Sequence, residues 1–304
     1  MADLQLHHTR STVQADVATP TTECPIVESV RAAGMLCGPI LDVNVAARRL
    51  LGEPSVALYG AAGAGFSDYH TTINAPLAFF LSDYEGINLP QCLESTARLL
   101  RNSSIEEITK EWPAMSYKFS KFAAGFSNYG AIEFQPCLAR AMAIELLACG
   151  VREIQVSCQG DTPLIQYSLA GKDFSIFFLQ EDLLSFNCER LSAQGLAVDV
   201  YYHRAAMEIP STYSCEGREL FRSLFQQMPT GGAFVTDDIA ASSHPPMAWD
   251  CSDQFPSSFD GVSGRLQEHE LPISVRRRLI EQRSYNDSTL YGSYLRVRKK
   301  VLEE

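Results

Sequence analysis

Paired cysteines are missing from this sequence. It has nine cysteines in 304 residues, and no two of them form a CxxC pair. A disulfide framework and a structural zinc site both need closely spaced pairs, so neither is expected. Singly placed cysteines are typical of buried, reduced thiols. The sequence therefore predicts a cytoplasmic protein with no metal site.

Long apolar runs are also absent. The apolar stretch at 76–81 is far shorter than the roughly 20 residues that cross a bilayer, and the start of the chain lacks the charged and apolar regions of a secretory signal. We therefore predict no membrane association. The formal net charge of −11 does not favour binding to phosphate backbones. A small molecule is the expected partner, and the oligomeric state is left open.

Composition and hydrophobic spacing divide the chain into three parts. Residues 1–22 are polar and are predicted to be a disordered tail, and 23–54 to be a helical segment. The remainder, 55–304, is predicted to be one core. Within it, 86–149 is interpreted as a helical insertion, and 240–272, rich in Ser, Pro and Asp, as a long loop or lid.

Buried strands alternate with helices along this core. The strands expected to be neighbours are 56–59, 151–157, 174–179, 197–202 and 233–236. Residues 164–169 are predicted to be helical. This alternation is typical of an α/β fold with a mostly parallel sheet and helices on both faces.

A glycine-rich loop follows the first strand. Gly60, Gly63 and Gly65 lie between this strand and a short predicted helix, and a second apolar run ends just before Asp83. Glycines let the backbone pass close to a ligand, and an acid after the second strand can bind ribose hydroxyls. The order strand, glycine loop, helix, strand, acid indicates a Rossmann-like nucleotide site.

Several segments resemble class I S-adenosylmethionine-dependent methyltransferases. Val56–Gly65 is similar to that family's first motif, and residues 219–235 are similar to its helix, Pro-Gly-Gly turn and strand, here with Pro229-Thr-Gly-Gly232. Residues 198–208 resemble the strand and loop that line the substrate pocket. The resemblance implies S-adenosylmethionine as cofactor and methyl transfer to a small-molecule acceptor.

The resemblance also implies roles for individual residues. The cofactor would be held by Gly60, Gly63, Gly65, Asp83 and Asp182. His203 is the candidate general base, since an unperturbed histidine titrates near neutral pH, although a histidine held by surface hydrogen bonds is slightly favoured, because no partner for it is visible in the sequence. Substrate contacts are assigned to Arg204, Glu208 and His244.

Two features depart from the family pattern. Tyr59 stands before the loop, where the family often carries an acid, and 86–149 separates the first motif from the rest. A rival registration places the first motif at Ala131–Gln135, which has no glycines, and the ribose acid at Asp161. The open alternatives are an NAD(P)- or nucleotide-sugar-binding Rossmann enzyme and a non-catalytic, degenerate methyltransferase-like protein.

Overall fold

A computed structural model describes most of the chain. The described residues are 24–36, 38–60, 62–81, 86–110, 131–181, 183, 186–203, 215–237, 259, 261–269, 271 and 295–302. None of the helices in these ranges is long and apolar enough to cross a membrane.

Eight helices and nine strands form in the described ranges. The helices are α1 Pro25–Ala32, α2 Gly38–Leu51, α3 Phe66–Thr72, α4 Leu89–Asn102, α5 Ile105–Lys110, α6 Ala131–Cys149, α7 Glu189–Ser192 and α8 Cys215–Gln227. The strands are β1 Val56–Gly60, β2 Leu77–Leu81, β3 Gln155–Gln159, β4 Thr162–Leu169, β5 Lys172–Leu179, β6 Val200–His203, β7 Ala233–Asp237, β8 Arg265–His269 and β9 Leu295–Val301.

All nine strands belong to one sheet, in the order β3-β4-β5-β2-β1-β6-β7-β9-β8. The five central strands of this order are β5, β2, β1, β6 and β7, and each pairs in parallel with its neighbours among them. Counted along the chain, these five strands follow the 3-2-1-4-5 order of the Rossmann fold. The predicted strands near 56 and 200 are hydrogen-bonded neighbours, so the first strand lies in the same core as the later ones.

The expectation of a mostly parallel sheet is wrong, because four of the eight strand pairings are antiparallel. At one side β3, β4 and β5 form consecutive hairpins. Residues 164–169, predicted to be helical, lie in β4. The turn between β4 and β5 consists of Ala170 and Gly171, with φ of 50° and 77°. Positive φ at both central residues is the geometry of a two-residue hairpin turn that follows the twist of its strands.

Helices cover both faces of the sheet. One hydrophobic cluster joins residues of α1 to α6 to alternate strand residues such as Ala57 and Phe80. A second cluster joins α7 and α8 to the intervening residues, such as Leu58 and Phe79. Because side chains alternate across a strand, buried runs of this kind are expected in a sheet covered on both sides.

The rival registration at 131–135 is wrong. These residues form the first turns of α6, a 19-residue helix with Pro136 inside it, and not a strand with a following loop. The strand predicted at 151–157 is the edge strand β3, which pairs antiparallel with β4 alone. Strand β8 also lies inside 240–272, the range that the sequence predicted to be one loop.

Candidate functional site

The carboxyl ends of β1 and β6 meet at the point where the strand order reverses. From β1 the chain continues to β2 on one side, and β6 pairs with β1 on the other side. Gly60, the last residue of β1, is the register partner of His203, the last residue of β6. Open α/β sheets bind ligands in the crevice outside this switch point, so the structure brings the predicted glycine loop and the predicted base to the expected place.

Gly63 has the conformation that the loop requires. Its φ is +52°, and among the described residues a Cβ built on it would meet no atom within 4 Å. A side chain here would be strained by the backbone, but it would extend into open space. This opening above the loop is where a ligand could approach the backbone.

Neighbouring side chains leave no room for a Cβ at Gly60 or Gly65. A Cβ on Gly60 would lie 2.9 Å from the Tyr201 hydroxyl and 3.1 Å from Leu183. A Cβ on Gly65 would lie 2.7 Å from the hydroxyl of Tyr59. Both glycines are therefore needed by the fold itself, whether or not a ligand binds.

The first turn of α3 follows the loop, and its first two amide groups already have acceptors. The N–H of Ser67 donates to the Glu145 carboxylate at 2.8 Å, and the N–H of Phe66 donates to the carbonyl of Ala64 at 2.8 Å. Burial, helped by the charge of Asp68 and opposed by the hydrogen bonds from Ser67, raises the pKa of the Glu145 carboxyl to about 7. A carboxyl group from α6 thus occupies the helix start, where a bound phosphate would otherwise accept hydrogen bonds.

A buried carboxylate lies beneath the loop. Asp68 of α3 accepts hydrogen bonds from the hydroxyls of Tyr59 and Tyr202 and, at 2.9 Å, from the side-chain amide of Asn44. Tyr59 and Tyr202 are register partners on β1 and β6. An acid is therefore present near the end of β1, but it is supplied by the following helix, while the strand carries a tyrosine.

His70 fixes the opposite end of α3. Its ring nitrogens contact the Asn74 side chain at 3.0 Å and the Tyr167 hydroxyl at 2.7 Å. Burial lowers the pKa of His70 to about 4. All seven residues of α3 are buried, so this short helix is held in place by side-chain hydrogen bonds as well as by apolar packing.

His203 is buried at the end of β6, with 6% of its surface exposed. Its Nδ1 lies 3.2 Å from the Tyr201 hydroxyl. Burial, and then the charge of Arg298, lowers the pKa of His203 to about 4. The imidazole is therefore neutral at pH 7 and a weaker base than the sequence suggested. Its role as general base stays a prediction.

The other predicted site residues lie outside the described residues: Asp83, Asp182, Arg204, Glu208 and His244. Their roles stay predictions. Two of them follow described strands in the sequence, since β2 ends at Leu81, two positions before Asp83, and β6 ends at His203, directly before Arg204. The carboxyl ends of both strands therefore bring the neighbours of Asp83 and Arg204 to the same edge of the sheet.

Asp199 has a structural role that the sequence did not indicate. It lies just before β6, within the segment interpreted as lining the substrate pocket. Its carboxylate accepts hydrogen bonds from the N–H groups of Ser55 and Val56, at 2.8 and 2.9 Å. These contacts join the amino ends of β1 and β6, at the edge opposite the glycine loop.

The residues most directly involved with the loop were not found from the sequence. Glu145 is 78 positions from Ser67, and Asn44 is 24 positions from Asp68, so no local motif connects them. One signal was available: Tyr59 in place of an acid indicated that the carboxylate had to come from elsewhere. The polar stretch Ser67-Asp-Tyr-His-Thr-Thr72 within a buried helix was a second signal.

No family model and no curated protein matches this chain. Among solved structures, an O-methyltransferase family protein from Burkholderia thailandensis is similar over 91% of this chain, with a TM-score of 0.35 and 11% sequence identity. The match spans 58% of the length of that chain. A likeness of this size does not establish a shared activity. What the fold and the site define together is a mixed α/β protein with a glycine loop at the switch point of its sheet.

Proposed function

We propose that this protein binds S-adenosylmethionine at the glycine loop and transfers its methyl group to a small molecule. The cofactor would lie over Gly63, between the carboxyl ends of β1 and β6. When bound, it supplies an already activated methyl group, so the protein has mainly to position the acceptor.

The observation that carries this choice is the Glu145 carboxylate at the start of α3. Nicotinamide dinucleotides carry a pyrophosphate, which binds to free amide groups at this helix end in Rossmann folds. Here the amide of Ser67 is bonded to the Glu145 carboxyl group, which takes the place of a phosphate acceptor and in its charged form would repel one. A nucleoside cofactor without phosphate avoids this conflict. The geometry therefore favours S-adenosylmethionine over NAD(P) or a nucleotide sugar.

The proposal assigns Asp83 to the ribose hydroxyls and Asp182 to the adenine side of the cofactor. His203 stands at the acceptor side, with Arg204, Glu208 and His244 as substrate contacts. Since the lowered pKa of His203 keeps its ring neutral, activity that depends on the neutral ring should persist well below pH 6.5.

Calorimetric titration of the full chain with S-adenosylhomocysteine, S-adenosylmethionine, NAD⁺ and NADP⁺ tests the proposal. The two adenosyl compounds should bind and the dinucleotides should not. Asp83→Ala should weaken binding by roughly tenfold to a hundredfold, the value of charge-assisted hydrogen bonds to the ribose. Absence of binding by the parent protein would refute the cofactor assignment.

Asp161→Ala is the matched control for Asp83→Ala. Asp161 is exposed in the turn between β3 and β4, and it was the ribose acid of the rival registration. Its removal should leave the affinity unchanged. Equal effects of the two substitutions would show that the loss is not specific to the ribose site.

Gly63→Val tests the opening above the loop. The side chain would occupy the space proposed for the cofactor, so binding should be lost. Gly160→Val is its control, because Gly160 has a similar φ of +61° and also faces open space, but lies in the β3–β4 turn. Both variants carry the same type of backbone strain, and only the first should lose S-adenosylhomocysteine. Retained affinity in a folded Gly63→Val protein would show that the loop is only a turn.

A further inference from the structure

A cavity lies at the edge of the sheet opposite the glycine loop. Its volume is about 280 Å³, and its lining includes residues at the amino ends of the parallel strands: Glu53 before β1, Asn74 before β2 and Lys172 at the start of β5. The end of α2 adds Arg48 and Arg49. This cavity is separated from the glycine loop by the length of the strands.

The described lining carries more positive than negative charge. Arg48, Arg49 and Lys172 are cationic, and Glu53 is the acidic residue among the described lining residues. Lys172 Nζ lies 3.6 Å from Glu53 Oε1, and the side chain of Lys172 is 44% exposed and that of Glu53 85%. This excess of two positive charges stands out in a protein whose formal net charge is −11.

The two arginines have no carboxylate partner within the part of the chain that the structure describes. Arg48 donates one hydrogen bond, to the carbonyl of His70 at 2.9 Å. Some of the other described arginines, such as Arg31, Arg190 and Arg296, are ion-paired. Cations in the last turn of a helix do offset its negative end. That effect is one reason for arginines at the end of α2, and Lys172, which lies near Glu53, adds a third cation to the same cavity from β5.

From this arrangement we propose that the cavity binds a small phosphate monoester. Guanidinium groups present paired donors that match the oxygens of a phosphate. The volume is near the lower end of the roughly 300–1,000 Å³ of small-molecule sites, which suits a phosphorylated metabolite or mononucleotide and not a dinucleotide. The apolar parts of α1 and α2 that line the cavity would contact the rest of the ligand.

Titration of the full chain with inorganic phosphate at low ionic strength tests the site. Ribose 5-phosphate and adenosine monophosphate are parallel probes that show which ester is preferred. Arg49→Gln and Lys172→Gln should each weaken phosphate binding by roughly fivefold, as expected for partly exposed charges. Glu53→Gln should strengthen binding by a similar factor, since it removes the opposing charge.

Arg98→Gln is the matched control, because Arg98 is an exposed arginine on α4, away from the cavity, and its loss should not change phosphate binding. Arg48 and Asn74 are not substituted, since both hold His70. Failure of the parent to bind phosphate, or equal affinity of the parent and Arg49→Gln, would overturn the proposal. Gly63→Val should keep its phosphate affinity, so the result is independent of the cofactor site.

Discussion

At the scale of single residues, Gly65 and Tyr59 are the tightest contact of the glycine loop. A methyl group on Gly65 would lie 2.7 Å from the tyrosine hydroxyl. We expect Gly65→Ala to destabilise the protein by about 1–3 kcal/mol, the usual cost of overpacking. Tyr59→Phe removes the obstructing oxygen but also its hydrogen bond to Asp68, so it should destabilise on its own, and Gly65→Ala should cost little when added to it. Urea unfolding of the two single variants and the double variant measures this coupling, and purely additive effects would contradict the contact.

The shifted pKa values of three buried groups predict how the stability of the protein depends on pH. The folded-state pKa values of His70 and His203 are lowered to about 4, whereas unfolded histidines titrate near 6.5. Between these values the unfolded chain binds more protons, so these histidines reduce stability as the pH falls. Glu145, whose pKa is raised to about 7, acts in the opposite direction between pH 7 and its unfolded value near 4.5.

The Glu145→Gln variant separates these two effects. Between pH 6 and 5 the two histidines gain protons on unfolding and the one carboxyl group loses its proton, so unfolding takes up about one proton net. These three groups should therefore lower the parent's unfolding free energy by about 1.4 kcal/mol for each unit that the pH falls. Without the Glu145 carboxyl the decline should be about twice as steep. Guanidinium unfolding of both proteins at several pH values gives the two slopes. Parallel curves would show that Glu145 does not titrate in this range.

At the scale of secondary-structure elements, the β4–β5 hairpin contains a strained residue. Ala170 has a φ of 50°, a conformation that costs an L-residue with a Cβ roughly 1–2 kcal/mol. Ala170→Gly should therefore raise the unfolding free energy by up to about 1 kcal/mol. Ala193→Gly is a suitable control, because Ala193 has an ordinary φ of −62° at the end of α7. It should be neutral or destabilising.

The same hairpin shows why part of the fold could not be predicted. Strands β1, β2 and β7 were found because each is an apolar run bounded by turn residues. Strand β4 was not, since its turn begins with Ala170 where asparagine or aspartate would have indicated a hairpin. Its paired partners, at 172–179 and 155–159, specify the strand through contacts that a local pattern does not contain.

Only part of the candidate site could be predicted from the sequence, because some of its contacts join residues that are far apart in the chain. Gly60, Gly63 and Gly65 follow each other in the sequence, and His203 is the end of an apolar strand, so local patterns located them. Their meeting at the switch point depends on the strand order. The occupation of the α3 start by Glu145 depends on how α6 packs against α3, which no spacing in the sequence indicates.

At the scale of the whole molecule, Lys300 connects the last strand to the helical layer. Its Nζ donates to the carbonyls of Phe225 and Met228 at 2.7 and 2.8 Å and lies 4.7 Å from the centre of the Phe225 ring. Lys300→Met keeps the apolar stem but leaves two carbonyls at the end of α8 without this donor. We expect a loss of about 1–3 kcal/mol in thermal or chemical unfolding. Lys299→Met, on the neighbouring and more exposed position, should have little effect.

The position of β9 between β7 and β8 has a consequence for biosynthesis. On the ribosome, β7 emerges almost sixty residues before β9, and β8 emerges with no strand to pair with until β9 follows. During that interval the outer edge of β7 has unpaired backbone groups, which can recruit another nascent chain. Emergence of residues 295–301 from the ribosome is therefore the event that completes this side of the sheet. A chain truncated after residue 294 should be far more sensitive to protease than the full chain.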